Sequence, residues 1–217
     1  MAQKILVIAI DRLMASLENY FDEGEYVVPF KSEELANCVV SHSAAVAVSG
    51  MAAGVLPVAG SIASLGICVA ANWRMYIKIC EIIKVPFGQT KLKAIASAVI
   101  SNILGNLALF IGVQMASSVI PGVGIVTEGI LCFFVTYFAG YVFLNLLTEL
   151  FNERRKDINI DDMTEDEIKE YVKKEVLKAS RNKKGIFKEV KNTFVQMRED
   201  GSLDEAGKNI DISDDEI

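Results

Sequence analysis

Residues 51–60 read MAAGVLPVAG, and residues 115–124 read MASSVIPGVG. Laid over one another, they pair Met51 with Met115, Val55 with Val119, Leu56 with Ile120, Pro57 with Pro121 and Gly60 with Gly124. The same offset sets Cys68 over Cys132 and Trp73 over Tyr137. Proline removes a backbone donor and denies the preceding residue the helical region, while glycine allows a tight reversal. Long apolar stretches flank both phrases. Each phrase therefore reads as the tip of a helical hairpin, with Leu56, Pro57 and Gly60 at the first tip and Ile120, Pro121, Gly122 and Gly124 at the second. Neither tip carries a charge. Loops ordinarily run through water and carry polar groups, so apolar tips have to be buried in protein or in lipid.

Working outward, the arms take shape. Ser32 opens a helix that runs to about Val55, and a second runs from Ser61 to about Lys84. Val85–Gln89, with Pro86 and Gly88, breaks the chain again. Thr90 caps a helix ending near Val119, and another runs from about Ile125 to Glu153. Before these lies an amphipathic segment: Leu6, Ile10, Leu13, Met14, Leu17 and Phe21 share one helical face over residues 3–21. The β-branched run Ile5–Ile10 is also compatible with a strand. After Arg154–Lys156, Thr164-Glu165-Asp166-Glu167 fits a capping box. Ile168, Tyr171, Val172 and Ala179 then line one face, Gly185 interrupts, and Ile186, Val190, Phe194 and Met197 form a last stripe. From Gly201 onward the composition predicts disorder. The expected fold is all-α: two tandem hairpins forming a four-helix hydrophobic bundle, with flanking amphipathic helices. Its parts are an N-terminal amphipathic segment (1–30), the double hairpin (31–156), charged amphipathic helices (157–200) and an acidic disordered tail (201–217).

Composition sharpens this. Hydrophobic residues make up 52% of the chain and mean hydropathy is +0.34, yet 23% of residues are charged. The two classes are segregated. No Asp, Glu, Lys or Arg lies between Glu34 and Arg74, between Lys93 and Glu128, or between Glu128 and Glu149. Residues 169–191 hold nine Lys/Arg and three Glu, whereas residues 199–217 hold eight acids and one Lys. The candidate membrane-surface or partner residues in the basic block are Lys169, Lys173, Lys174, Lys178, Arg181, Lys183, Lys184 and Lys188. A solvated helix is the plainer reading of the same charges.

A spanning helix needs about 20 apolar residues. The first, third and fourth arms reach that length. The second does not, because Arg74, Lys78, Glu81 and Lys84 interrupt it, unless Arg74 snorkels or the hairpin is re-entrant. Gly50xxxGly54 and the row Ser97, Ser101, Gly105 are small-xxx-small patterns that suit close helix packing. Lys31, Arg74, Lys78, Lys84, Lys91, Lys93 and Arg154–Lys156 flank the ends remote from the tips, which favours entry from the cytoplasmic side. Trp73, Tyr76, Tyr137 and Tyr141 suit a membrane interface or a core. A soluble four-helix bundle with a core of small residues satisfies the same pattern. No secretory leader is recognisable: ILVIAI after Lys4 is too short and Asp11 ends it.

Catalytic motifs are wanting. There is no GxSxG, HExxH or CxxC, and the only histidine is His42. Residues 201–209, GSLDEAGKN, miss the P-loop spacing and its terminal Ser/Thr. Cys38, Cys68, Cys80 and Cys132 read as small buried hydrophobes. His42 reads as a hydrogen-bonded packing residue. Glu128 either lines a polar cavity or sits near a helix start, where the dipole favours it. No enzyme, metal or cofactor is expected.

The region 37–151 resembles a bacterial family: the hydrophobic domain of unknown function attached to, or encoded beside, Era-like and dynamin-like GTPases. The matching residues are Gly54–Pro57, the apolar and basic mix of Trp73–Lys84, Ile120–Gly124, and the Thr-Tyr-x-x-Gly phrase Thr136–Gly140. The resemblance implies an all-α, membrane-associated module that works with a GTPase. No G domain is present, so that GTPase would be a separate partner. The leading expectation is a non-enzymatic membrane anchor or adaptor on the cytoplasmic side of the inner membrane, or cytoplasmic and reversibly bound to it. The rivals are a pore-forming protein with a hidden apolar hairpin, and a soluble oligomeric interaction module. The expected contacts are lipid and further copies of the chain, not nucleic acid.

Overall fold

The computed structural model describes residues 4–20, 32–53, 59–84, 91–103, 124–153, 163–208 and 210. Their architecture is all-α, with no strand among the described residues. The elements are α1 (Lys4–Tyr20), α2 (Ser32–Ala53), α3 (Ala59–Ile83), α4 (91–103), α5 (Gly124–Glu153), α6 (Glu165–Ser180), α7 (Lys183–Glu199) and α8 (Ser202–Lys208). Residues 5–10, with their β-branched run, are helical.

Helix α5 is the hub, and α1, α2, α3, α6 and α7 all pack on it. Its side chains leave little choice. Phe133, Phe134, Tyr137, Phe138, Val142, Phe143, Leu144 and Leu147 point in every direction around the helix and are all inaccessible to solvent. A helix that is apolar all round has to be covered all round.

The closest cover is α2, which runs antiparallel to α5. Gly140 faces Val39, and Gly129 faces Met51. A Cβ on Gly140 would lie 2.8 Å from Val39 Cγ1 and 3.2 Å from Met75 Sδ. The small residues of α2, including the buried Gly50, Ala44 and Ala47, let the two backbones approach. On the other side of α2, the Cys38 thiol approaches the Met75 carbonyl of α3 (3.9 Å). Cys38 and Met75 are equidistant along the chain from the Leu56–Pro57 bond. Ile95 of α4 and Leu146 of α5 line one small cavity and are equidistant from Ile120–Pro121. That is the register two hairpins turning at those prolines would give. Leu56, Pro57, Gly54, Gly105, Ile120, Pro121 and Gly122 lie outside the described residues. Gly60 sits in the first turn of α3 and Gly124 opens α5.

The amphipathic helices complete the enclosure. On α1, Leu6, Ile10, Leu13 and Leu17 are fully buried. The capping box of α6 forms: the Glu167 amide donates to the Thr164 hydroxyl (3.3 Å), and the Thr164 amide donates to Glu167 Oε2 (2.7 Å). The bond from the Thr164 amide, and after it one from the Thr164 hydroxyl to the same Oε2 (2.8 Å), hold the Glu167 carboxyl below its ordinary pKa. Ile168, Val172, Val176 and Ala179 form the buried face of α6, and Ile186, Val190 and Phe194 that of α7. Phe187 and Phe194 meet Phe134 and Phe133 edge-on, with centroids 5.2 and 5.8 Å apart.

Two expectations are corrected here. The break between the charged helices falls at residues 181–182, and Gly185 lies inside the first turn of α7. A Cβ there would meet Asn182 Oδ1 at 2.6 Å, the tip of an exposed side chain that can turn away. The disorder expected from Gly201 onward does not begin there. Gly201 takes a positive φ of 79°, the Asp200 carboxylate accepts from the Ser202 amide (2.9 Å) and hydroxyl (2.6 Å), and α8 follows with Leu203 buried. Helix α8 packs on α2 and α7. Residues 211–217 lie outside the described residues.

The α2–α5 contact can be tested by filling it. Gly140→Ala should lower unfolding stability by about 1–3 kcal/mol in urea titration, since Val39 has no room to yield. Gly129→Ala meets the flexible Met51 side chain (2.6 Å) and, less tightly, Phe194 Cζ (3.3 Å), and it gains helix propensity of about 1 kcal/mol, so it should cost less than Gly140→Ala.

Candidate membrane-active core and its helical cover

Two described helices are long and apolar enough to cross a membrane by length and composition: Ser32–Ala52, with mean hydropathy 1.4, and Gly129–Asn152, with 2.0. These belong to α2 and α5, the most intimately packed pair. In this fold 67% and 78% of their respective windows are buried by the chain itself. Among the described residues only Val7, Ile8, Val69, Leu177 and Val195 are large hydrophobics classed as exposed.

A polar clasp fastens the cover. The Ile5 amide, in the first turn of α1, donates to both carboxylate oxygens of Glu189 on α7 (2.9 and 3.2 Å). The Tyr137 hydroxyl of α5 donates to the same carboxylate (2.8 Å). One side chain thus joins α1, α5 and α7. A carboxylate at a helix N-terminus also opposes the positive end of the helix dipole. Nothing in the sequence marked Glu189, which lies within the basic block. A second internal carboxylate, Glu175, is buried and pairs with Lys178 (2.6 Å), which also approaches Glu149 (3.8 Å).

Polar groups also lie inside the apolar bundle. His42 is buried and its Nδ1–H donates to the Cys38 carbonyl (2.8 Å). The Ser43 hydroxyl donates to the Val39 carbonyl (2.7 Å). Asn72 of α3 and Thr136 of α5 are fully buried, and neither side chain finds a hydrogen-bond partner among the described residues. The α2–α3 and α2–α5 registers place all four residues within about one helical turn of the same height, roughly 5 Å. A polar layer therefore crosses the bundle, and only its α2 members are satisfied.

The remaining expected site residues are placed as follows. Lys169, Lys173, Lys174, Lys178, Arg181, Lys184 and Lys188 are exposed, and Lys183 is half-buried. Ser97 and Ser101 lie on the exposed side of α4 and line an open groove with Glu165, Asp166 and Lys169. Within this chain they face that groove and are not packed in a helix–helix seam. Tyr76 and Tyr137 are core residues: Tyr76 stacks on Phe143 (3.9 Å between centroids) and donates to the Ala139 carbonyl (3.2 Å). Trp73 is buried beneath Lys93, whose Nζ lies 4.4 Å from the ring centroid. The four cysteines are buried, with no disulfide among them. No cluster of metal-ligating side chains occurs among the described residues. The Glu128 side chain lies outside the described residues.

Comparison with protein-family models, curated proteins and solved structures returned no match.

Two substitutions probe this arrangement. Glu189→Ala removes three charge-assisted bonds and should lower stability by about 1–3 kcal/mol, with Tyr137→Phe adding little in its background. Asn72→Leu should act in the opposite sense. It removes the two unpaired polar atoms of one amide and keeps the same branching, so the urea midpoint should rise, by about 1 kcal/mol in stability.

Proposed function

We propose that this is a non-enzymatic, membrane-associated protein that stores two membrane-length helices inside a helical cover and exchanges that cover for lipid. The observation that carries the reading is the pairing of opposites in one fold. The helix best suited to cross a bilayer, α5, is the one most completely wrapped by amphipathic helices. The uncharged Pro/Gly tips and the basic residues remote from them fit entry of hairpins tip first from the cytoplasmic side. The unpartnered polar groups of Asn72 and Thr136 inside the core cost the closed form stability, which favours exchange of the cover. The separate GTPase implied by the family resemblance is not required for this reading.

A second reading has its own support. Among the described residues, the scarcity of exposed large apolar side chains is what a permanently soluble interaction module would show.

Fractionation of the expressed full-length protein without detergent, followed by alkaline carbonate extraction of the membrane pellet, separates the two. Retention of a substantial share in the extracted pellet is expected. Complete recovery as a discrete soluble species, with none gained on adding vesicles, would contradict membrane insertion. Dye-loaded vesicles then distinguish anchoring from permeabilisation, since an anchor releases no dye.

A further inference from the structure

Helices α6 and α7 bury one face each and turn the other outward. On α6 the outward arc carries Lys173, Lys174, Leu177 and Arg181, and on α7 it begins with Lys184 and Lys188. The two arcs meet at the two-residue turn 181–182. Two acids of this region are spent internally, while Glu170 stays exposed on the outward arc and Glu165, Asp166 and Glu167 stand at the far end of α6. Glu175 is buried against Lys178, and Glu189 is committed to the α1 terminus and Tyr137. Around the turn, the outer side therefore carries Lys173, Lys174, Arg181, Lys184 and Lys188 against the single acid Glu170, a net positive corner. Leu177 stands in the middle of it, 46% exposed, with Val195 (38% exposed) further along the same side of α7.

We propose that this corner is the docking surface for an anionic bilayer. A dense cationic arc attracts a negatively charged headgroup layer, and a protruding aliphatic side chain gains by entering the interface beneath it. An acidic protein groove would satisfy the lysines but offers Leu177 no general reason to project. The inference rests on the membrane reading above and names the surface through which contact begins. Docking is electrostatic, precedes any opening of the α2–α5 core, and weakens with salt.

Sedimentation of the full-length protein with two kinds of vesicle tests this: phosphatidylcholine alone, and an equal mixture with phosphatidylglycerol. Binding to the mixed vesicles should be at least about tenfold tighter and should be lost in high salt. The variant K173Q/K174Q/R181Q/K184Q should bind the mixed vesicles at least about tenfold more weakly with an unchanged circular dichroism spectrum. The charge-keeping variant K173R/K174R/R181K/K184R should bind as the parent does. Equal binding to both vesicle types, or parental binding by the Gln variant, would overturn the proposal. So would failure to bind either vesicle type while binding an acidic protein. The two readings fail separately. Salt-reversible binding to anionic vesicles without carbonate resistance keeps docking and removes insertion. Carbonate-resistant binding that ignores lipid charge does the reverse.

Discussion

A helix that is apolar on every side cannot stand at a surface in water, and α5 is such a helix. Its phenylalanines, leucines and tyrosines radiate around the axis, so no orientation hides them behind a single neighbour. The rest of the described structure follows from that constraint. Helix α2 supplies small residues where the approach is closest, at Gly140 and Val39. Helices α1, α6 and α7 each contribute one apolar stripe and keep a charged face outward. Fully burying one large apolar side chain is worth about 1.5–3 kcal/mol, so the enclosure of α5 dominates the energetics of the fold.

Apolar burial is non-directional, and hydrocarbon offers nearly the same gain as a protein interior. What makes the cover specific is polar. Glu189 ties α1 and α7 to Tyr137, and Lys178 draws the buried Glu175 toward the end of α5. The interior layer at Asn72 and Thr136 acts the other way, because burying unpaired polar groups costs stability. On the proposed reading, these unpaired groups in the core are part of what lets a bilayer compete with the helical cover.

Much of this was legible in the sequence, because periodicity and capping are local properties. The buried face of α1, the capping box at Thr164 and the stripes of α6 and α7 follow from spacing alone, and the limits of α2, α3 and α5 from charge and Pro/Gly punctuation. The misses have a common cause: they depend on what a residue meets far along the chain. Glu189 looked like one acid in a solvated basic helix until the fold brought the α1 terminus to it. The small residues Ser97 and Ser101 suit a packed seam by spacing, yet among the described helices none covers them, and they line an open groove. Helix α8 was hidden in an acidic composition that suggests disorder, since a single leucine, Leu203, docking on α2 leaves no periodic signal. Gly185 has the look of punctuation, yet the break falls at residues 181–182 and the glycine lies within the first turn of α7.

The central claim is that lipid can replace the protein cover around the apolar hairpins. The chain has a single tryptophan, Trp73, buried in α3 near the basic residues that flank the first hairpin. Its fluorescence should be measured in vesicles whose acyl chains carry bromine at shallow or deep positions. The account predicts quenching by both, stronger for the shallow bromines, once the protein is bound to anionic vesicles. Unquenched emission from protein shown to be vesicle-bound would mean that the cover stays closed and the hairpins never meet lipid.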